Sequence, residues 1–515
     1  MALDAGTGSV RAVLFDFSGA QIGCAAREWE HLTDPRFPGS MDFDWEKNWG
    51  LAKECIKGVL AETNAAASEI AAISTTCMRE GFLLYDAAGK EIWACANVDS
   101  RANDEVAALV QKDPALEKEI YSESGEAYAL GALPRLLWVK NKLPEIYEKA
   151  EKFGMFNDWL IYKLTWRMPV EPSNGSTTGI FSLNTRNWDP AIAQRLGLKT
   201  NLFGEVLECG QIAASVSKDA AAETGLAEGT PVVVGGGDTQ LGCIGVGAVS
   251  PGQAAVFGGS FWQYEYNTDS PKTDAECRVR VNCHAVPGVW QYEALAFNPG
   301  LVMRWFRDAF CQHETLLAKQ TGEDPYDLMN KEAEKVPAGC NGMMCAFSDV
   351  MNFTSWKHAS PTFMNFSIDP ALHNRYTFYR SILENTALVT KGHIDLVEEA
   401  TGNKPSELIF ASGAAKSPLW CQIVADVTGL PVKVPVVKEA TALGAAILAG
   451  VGIGLYKDAA EGAEKCVQFE KTYQPDEANH LVYEEMYPVW RKAYAAQLKL
   501  ADEGLEKHMW KAPGI

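Results

Sequence analysis

A pattern of strand, glycine turn and strand occurs twice in this chain and constrains its fold more than any other feature. The first copy spans residues 1–15 and turns at Gly6 and Gly8, and the second spans residues 253–266 and turns at Gly258. Strands alternate with segments of helical spacing after each copy, which is typical of α/β domains. The repeat therefore predicts two α/β domains with related cores.

The boundary between the two predicted domains is placed near Gly247, after the helix expected to follow Asp238. This division gives a first domain of residues 1–247 and a second of residues 248–515. With 515 residues the chain is long enough for at least two domains and needs neither disulfides nor metals to fold.

The charge balance excludes several kinds of partner. The chain carries 46 Lys and Arg against 66 Asp and Glu, a net charge of −20. Such a surface repels nucleic acids and anionic membranes, so we predict neither as a partner. The N-terminus lacks a signal peptide, the apolar runs are broken by glycine, and the 13 cysteines contain no Cys-x-x-Cys pair. These features predict a soluble, cytoplasmic protein with reduced thiols.

The first glycine turn has the composition of a phosphate-binding loop. Glycine lets backbone N–H groups approach phosphate oxygens closely. Thr7 and Ser9 add hydroxyl donors beside Gly8, Arg11 adds a charged donor, and Asp4 at the strand end is suited to a hydrated Mg²⁺. An ordinary hairpin turn is an equally good interpretation of this segment taken alone.

Two further glycine turns carry polar groups. Asp238 follows Gly235, Gly236 and Gly237 at the end of an apolar strand, a position that suits a general base, although a helix N-terminus explains it as well. Gly259 and the hydroxyl of Ser260 form the second phosphate turn.

A further segment, residues 412–415, contains small residues against which a flat nucleotide base can lie. Residues 443–446 are better explained by close helix packing. The chain has neither a Walker motif nor an early Gly-x-Gly-x-x-Gly, which disfavours P-loop enzymes and dinucleotide oxidoreductases.

The order and spacing of these segments resemble the FGGY carbohydrate kinases along essentially the whole chain. The resemblance implies an α/β fold of two actin-like (ribonuclease-H-like) ATPase domains with a catalytic cleft between them. It also implies substrate and phosphate binding by the first domain, nucleotide binding by the second, and ATP and Mg²⁺ as cofactors.

Site residues follow from the resemblance, position by position. Asp238 is expected to be the general base, and Asp4 and Asp238 are expected to hold Mg²⁺. The nucleotide and its phosphates are expected to contact Thr7, Gly8, Ser9, Arg11, Gly259, Ser260, Gly413, Ala414 and Ser417. The acceptor is expected to contact Met78, Arg79, Glu80 and Asp158, although a surface ion pair would also explain Arg79 and Glu80.

Several segments resemble one subfamily, the autoinducer-2 kinases, most closely; among them are residues 77–81, 93–101 and 172–179. The resemblance implies transfer of phosphate from ATP to the terminal hydroxyl of 4,5-dihydroxy-2,3-pentanedione. A pentulose or polyol kinase of the same family is the alternative. An actin-like ATPase and a catalytically inactive sugar-binding protein fit the sequence less well.

A small-molecule substrate is the partner that the resemblance implies most directly. It also leaves open a homodimer and a phosphocarrier protein of sugar transport as a regulator, but no segment of the sequence indicates a contact with either.

Overall fold

The computed structural model describes residues 1–259, 261–296 and 299–512, so Ser260 lies outside the described residues. The strands are β1 (Ala2–Ala5), β2 (Ser9–Phe15), β3 (Gln21–Glu28), β4 (Ile73–Cys77), β5 (Phe82–Tyr85), β6 (Glu91–Cys95), β7 (Lys152–Met155), β8 (Phe181–Ser182), β9 (Asn187–Trp188), β10 (Ile212–Ser215), β11 (Pro231–Gly237), β12 (Ala254–Gly258), β13 (Trp262–Thr268), β14 (Arg280–Cys283), β15 (Trp290–Ala296), β16 (Met344–Ala346), β17 (Lys357–Ala359), β18 (Thr362–Met364), β19 (Leu408–Ala411), β20 (Val432–Pro435), β21 (Phe469–Tyr473) and β22 (His508–Lys511).

The helices are α1 (Trp45–Thr63), α2 (Asn103–Lys112), α3 (Leu116–Ser124), α4 (Leu133–Lys142), α5 (Pro144–Lys149), α6 (Phe156–Thr165), α7 (Pro172–Gly175), α8 (Pro190–Arg195), α9 (Lys218–Thr224), α10 (Asp238–Val246), α11 (Pro299–Phe310), α12 (Gln312–Thr321), α13 (Pro325–Ala333), α14 (Arg375–Thr401), α15 (Pro418–Thr428), α16 (Ala440–Gly452), α17 (Ala459–Cys466) and α18 (Glu477–Asp502).

Two mixed sheets form the centres of the two domains, and they share one topology. The first has the order β10-β11-β4-β1-β2-β3, and the second the order β14-β15-β13-β12-β19-β20-β21. In each sheet an antiparallel hairpin, β1–β2 or β12–β13, continues on its other side into two parallel strands, β4 and β11 or β19 and β20. This is the arrangement of ribonuclease-H-like domains, and it confirms the predicted fold.

Helices α10 and α16 pack against each other between the two sheets, and glycine makes their close approach possible. A Cβ on Gly245 would overlap the carbonyl oxygen of Ala440, and a Cβ on Gly444 would overlap that of Leu241. Backbones can approach this closely only where side chains are absent. The prediction that residues 443–446 serve helix packing agrees with this contact.

The central elements lie close to their predicted positions because their apolar spacing is strong. Apolar spacing in the sequence predicts strands over residues 9–15, 21–28 and 408–411 and a helix over residues 418–428, and the structure confirms these bounds for β2, β3, β19 and α15. In the small sheet β6-β5-β7 the sequence pattern predicts only β5, as an apolar run over residues 81–85, and it does not predict strands β14 and β15. Helix α10 ends at Val246 and is capped by Gly247, whose φ of 90° suits glycine, and the domain division there stays a prediction.

The remaining general expectations concern thiols and membranes. All 13 cysteines lie in the described residues and are free, and Cys24 alone among them is not fully buried. No helix in the described parts of the chain is both long enough and apolar enough to cross a bilayer.

Candidate functional site

The parallel strands of the first sheet bring distant residues to one edge. Ala5 at the end of β1 is paired with Cys77 at the end of β4, and Cys77 is paired with Gly237 at the end of β11. Asp4, Arg79 and Asp238 lie at or just beyond these three strand ends. The carboxyl edge of the sheet therefore collects groups that are far apart in sequence, as is usual in α/β proteins.

The first glycine turn is held from one side and open on the other. The indole nitrogen of Trp29 donates to the carbonyl oxygens of Gly6 (3.1 Å) and Thr7 (3.0 Å), and Thr7 Oγ1 is bonded to the Asn97 side chain. Gly8 is exposed, and a Cβ at this position would meet no heavy atom within 4 Å. The open side of the turn is accessible to a ligand, and the phosphate contacts of Thr7, Gly8 and Ser9 stay a prediction.

Arg11 joins the two domains in addition to lying beside the first turn. Its NH1 is 2.6 Å from Glu439 Oε2, directly before α16, and 3.8 Å from Asp4 Oδ2. Burial raises the pKa of Asp4 to about 7, and the charges of Asp238 and Glu439 add to the rise against the lowering effect of Arg11. Two carboxylates, those of Asp4 and Glu439, thus flank the Arg11 guanidinium, and a phosphate would compete with Glu439 for it.

Asp238 is the first residue of α10 and its side chain is 41% exposed. Its Oδ1 accepts from the backbone N–H of Thr239 (2.8 Å) and lies 3.4 Å from Arg79 Nε. The pKa of Asp238 is raised because nearby protein atoms reduce the hydration of its carboxylate. Arg79 lowers this pKa, and Glu80 adds to the rise. An accessible carboxylate with a raised pKa is suited to general base catalysis.

The loop after β4 presents Arg79 and Glu80 to the same place. The Arg79 stem occupies the space that a Cβ on Gly237 would need, which accounts for glycine there. Glu80 has a φ of 62°, in the left-handed region. The backbone turns tightly at Glu80, because the Gly81 N–H donates to the Arg79 carbonyl oxygen (2.7 Å). A strained non-glycine residue at such a site is typical of a functional loop. Both side chains are mostly buried, at 6% and 13% exposure.

Two residues predicted to contact the acceptor have buried side chains. Asp158 is fully buried, and its Oδ2 accepts from the Met155 N–H in the first turn of α6. Met78 also has no exposed surface and packs into the core of the first domain. The structure therefore does not bring these two side chains to the surface beside Arg79 and Glu80, and their contact with the acceptor stays a prediction.

The second glycine turn lies next to the small-residue segment of the second sheet. Strands β12 and β19 are parallel, and a Cβ on Gly258 would press against the Ala414 side chain, while Gly413 lies near the Gly258 carbonyl oxygen. The N–H of Gly300 at the start of α11 donates to the Gly259 carbonyl oxygen (3.1 Å). Gly259, Gly413 and Ala414 are thus brought together.

Ser417, which was also predicted to line the adenosine pocket, caps α15 through its hydroxyl, which accepts from the Trp420 N–H. The Ser417 hydroxyl oxygen is therefore already used as a hydrogen-bond acceptor within the protein.

Replacing Ser412 with Gly is expected to stabilise the protein. Ser412 has φ 76° and ψ −164°, a region of backbone space used almost only by glycine. Relief of this strain, less the added chain entropy of glycine, should give about 1 kcal/mol in urea-induced unfolding. The matched variant Ser417→Ala should instead lose about 1 kcal/mol, since it removes a helix cap. A Ser412→Gly variant less stable than wild type would contradict the prediction.

Several charged residues at this site were missed by sequence reasoning. Glu293 on β15, Arg280 on β14 and Glu126 are almost fully buried and form ion pairs behind Arg79 and Glu80. For Arg280 and Glu293 the sequence signal is a charged residue inside an apolar strand, which is rare unless the charge is paired. Because strands β14 and β15 were not predicted, that signal was not read.

Comparison with known proteins agrees with this geometry. Residues 1–245 match the N-terminal domain model of the FGGY family of carbohydrate kinases, and residues 266–453 match its C-terminal domain model. The chain is 49% identical to an autoinducer-2 kinase of Yersinia enterocolitica, over 100% of this chain and 98% of that protein. It is also 49% identical to an autoinducer-2 kinase of Escherichia coli K12, over 100% and 97%.

Solved structures agree on the fold. A xylulose kinase from Rhodospirillum rubrum superposes with a TM-score of 0.84 at 23% identity, covering 97% of this chain and 98% of that one. A glycerol kinase from Plasmodium falciparum, solved with ADP, gives 0.83 at 19% identity, covering 96% and 97%. The two sheets share one topology, and the chain matches both domain models over residues 1–245 and 266–453, so it belongs to the FGGY family of carbohydrate kinases.

Proposed function

We propose that this protein transfers the γ-phosphoryl group of ATP to the terminal hydroxyl of linear autoinducer-2, 4,5-dihydroxy-2,3-pentanedione. The observation that carries the proposal is the 49% identity over the whole chain to proteins named autoinducer-2 kinases. The arrangement of Asp238 beside Arg79 and Glu80, facing the first glycine turn, supports a small polar acceptor at this edge.

The residues of this chain supply positioning and charge rather than covalent chemistry. Asp238 accepts the proton of the acceptor hydroxyl as the oxygen attacks the phosphorus, and Arg79 stabilises the carboxylate beside it. The exposed first glycine turn at Gly8 binds phosphate from the first domain. The second turn binds it from the second domain when the Gly259 N–H leaves the Phe261 carbonyl oxygen, to which it donates in this structure (2.9 Å). Phosphoryl transfer depends largely on such alignment and charge neutralisation.

A magnesium ion fits the first turn and is part of the proposal. Asp4 and Asp238 offer carboxylate oxygens there. Burial is the main cause of the raised pKa of Asp4, and a bound cation would offset the hydration that this carboxylate has lost. Among the described residues no group of three or more His, Cys, Asp or Glu side chains forms a metal site. Mg²⁺ commonly takes one or two carboxylates and completes its shell with phosphate and water. Activity that persists in excess EDTA would contradict this part.

A panel of acceptors tests the substrate. ADP release with Mg-ATP should be fastest, by at least about tenfold in kcat/KM, with dihydroxypentanedione when compared with D-xylulose, L-ribulose, glycerol and erythritol. A preference for one of the sugars would favour the alternative, a pentulose or polyol kinase, and would leave the roles of Asp238 and the glycine turns intact. ATP hydrolysis independent of every acceptor would contradict both.

A homodimer, regulation by a phosphocarrier protein and a cytoplasmic location each remain a prediction. Sedimentation velocity at micromolar concentration tests the homodimer. Adding a phosphocarrier protein of sugar transport to the ADP-release assay tests that regulator, since an unchanged rate would remove it. Fractionation of cells tests the cytoplasmic location.

A further inference from the structure

A buried row of alternating charges runs from Asp238 into the second sheet. Both terminal nitrogens of Arg79 donate to Glu293, one of them at 2.9 Å. Arg280 NH1 lies 3.3 Å from Glu293 Oε1, and Arg280 Nε donates to Glu126 (2.9 Å). Arg79 belongs to the part of the chain matched by the N-terminal family model, whereas Arg280 and Glu293 belong to the part matched by the C-terminal model. The row therefore crosses from one domain to the other.

Glu293 cannot contact a ligand itself. Its side chain has no exposed surface, and both of its oxygens already accept from guanidinium groups. Burial alone would raise the pKa of Glu293, but Arg79 and Arg280 hold it below the ordinary value, so the carboxylate stays ionised. Strand β15 lies between β13 and β14, which makes this carboxylate a rigid anchor.

We propose that Glu293 is a positioning residue of the acceptor site, which fixes the Arg79 guanidinium beside Asp238. Arg79 has a long, flexible side chain, and the paired bonds to Glu293 select one orientation of its planar fork. Its Nε is thereby directed to Asp238. The inference rests on the proposed function, because it takes the acceptor to bind beside Arg79 and Asp238.

Glu80 also forms an ion pair with a residue of the second sheet. Arg280 NH2 lies 2.7 Å from Glu80 Oε1, and the same guanidinium bonds to Glu293 and Glu126. Both acceptor-facing side chains of the loop after β4 are therefore oriented by strands of the second domain. The geometry of the acceptor site depends on both domains, although the loop itself belongs to the first.

Steady-state kinetics of Glu293→Gln with dihydroxypentanedione and Mg-ATP tests the proposal. We expect the KM for the acceptor to rise at least about tenfold, since a small displacement of a binding group is costly. The KM for ATP should stay within about twofold, and kcat at saturating acceptor within about threefold. Glu293→Asp keeps the charge but shortens the side chain, so it should give an intermediate KM. An unchanged acceptor KM, or an equal rise in both KM values, would overturn the proposal.

Glu265→Gln is the matched control. Glu265 is the cross-strand partner of Glu293 on β13 and is equally buried, but its carboxyl oxygens have no hydrogen-bond partner among the described residues. Burial and the neighbouring Glu293 raise its pKa well above the ordinary value, so glutamine replaces a neutral group of the same shape. Kinetics within about twofold of wild type are expected.

A double-mutant comparison shows whether Glu293 acts through Arg79. In an Arg79→Ala background, Glu293→Gln should change the acceptor KM less than about twofold, since its partner is gone. If the rise in acceptor KM in the double variant equals the product of the rises in the two single variants, the proposal is overturned. If Arg79→Ala alone leaves the acceptor KM unchanged, the proposed acceptor site itself is wrong. If Arg79→Ala raises it and neither Glu293 variant does, only the positioning role fails.

Discussion

Replacing Asp238 with Asn should lower kcat for phosphoryl transfer by about 10³-fold, the middle of the range for loss of a general base. The amide keeps the size of the side chain and its place at the start of α10, but it cannot take the proton of the acceptor hydroxyl. The measurement is ADP release at saturating acceptor and Mg-ATP. Binding of ATP, followed by calorimetry, should change by less than about threefold, because the nucleotide is predicted to bind mainly to the second domain.

Asp16→Asn is the matched control, because it makes the same change of Asp to Asn outside the proposed site. Asp16 follows the C-terminal end of β2, at the end of this strand that is far from the first glycine turn. Its carboxylate accepts from the N–H groups of Ser18 and Ala20 in an exposed turn. This variant should retain kcat within about twofold of wild type, as surface substitutions usually do. A fall in kcat of less than about fivefold in Asp238→Asn would remove Asp238 from its proposed role.

Replacing Gly245 with Ala should destabilise the protein by about 3 kcal/mol or more, at the upper end of overpacking effects. The added methyl group would overlap the Ala440 carbonyl oxygen, which is backbone and cannot turn away. Helices α10 and α16 would have to separate. Since α10 begins at Asp238 and α16 begins directly after Glu439, the separation should also lower kcat. Thermal and urea-induced unfolding measure the first effect, and ADP release measures the second.

Gly50→Ala distinguishes this clash from a general effect of the substitution. Gly50 lies inside α1, and a Cβ there would meet no atom within 4 Å. Alanine is the better helix former by about 1 kcal/mol, so this variant should be slightly more stable than wild type. Equal stability of Gly245→Ala and wild type would show that the two helices can move apart at little cost.

Local patterns were enough to predict the duplicated core. The turns at Gly8 and Gly258 and the spacing of strands such as β2 and β19 depend on backbone freedom and on apolar periodicity, both of which are visible in a few consecutive residues. The roles assigned by resemblance to Asp4, Arg79, Glu80 and Asp238 concern residues that the structure does bring to one edge. The burial of Asp158 and Met78 could not be predicted, because burial depends on what packs over a residue and adjacent residues in the sequence do not show it.

The sequence by itself therefore determined the two domains, the glycine turns and the class of chemistry for which their polar residues are suited. The tertiary structure alone decided that Glu293 and Arg280 stand behind Arg79, and that Arg11 pairs with Glu439 across the cleft. The physical reason is that these ion pairs depend on strand register and on contacts between domains, which join Arg79 to Glu293 over 214 positions and Arg11 to Glu439 over 428. A buried charge is tolerated only where an opposite charge offsets its lost hydration, and only the folded chain brings the two together.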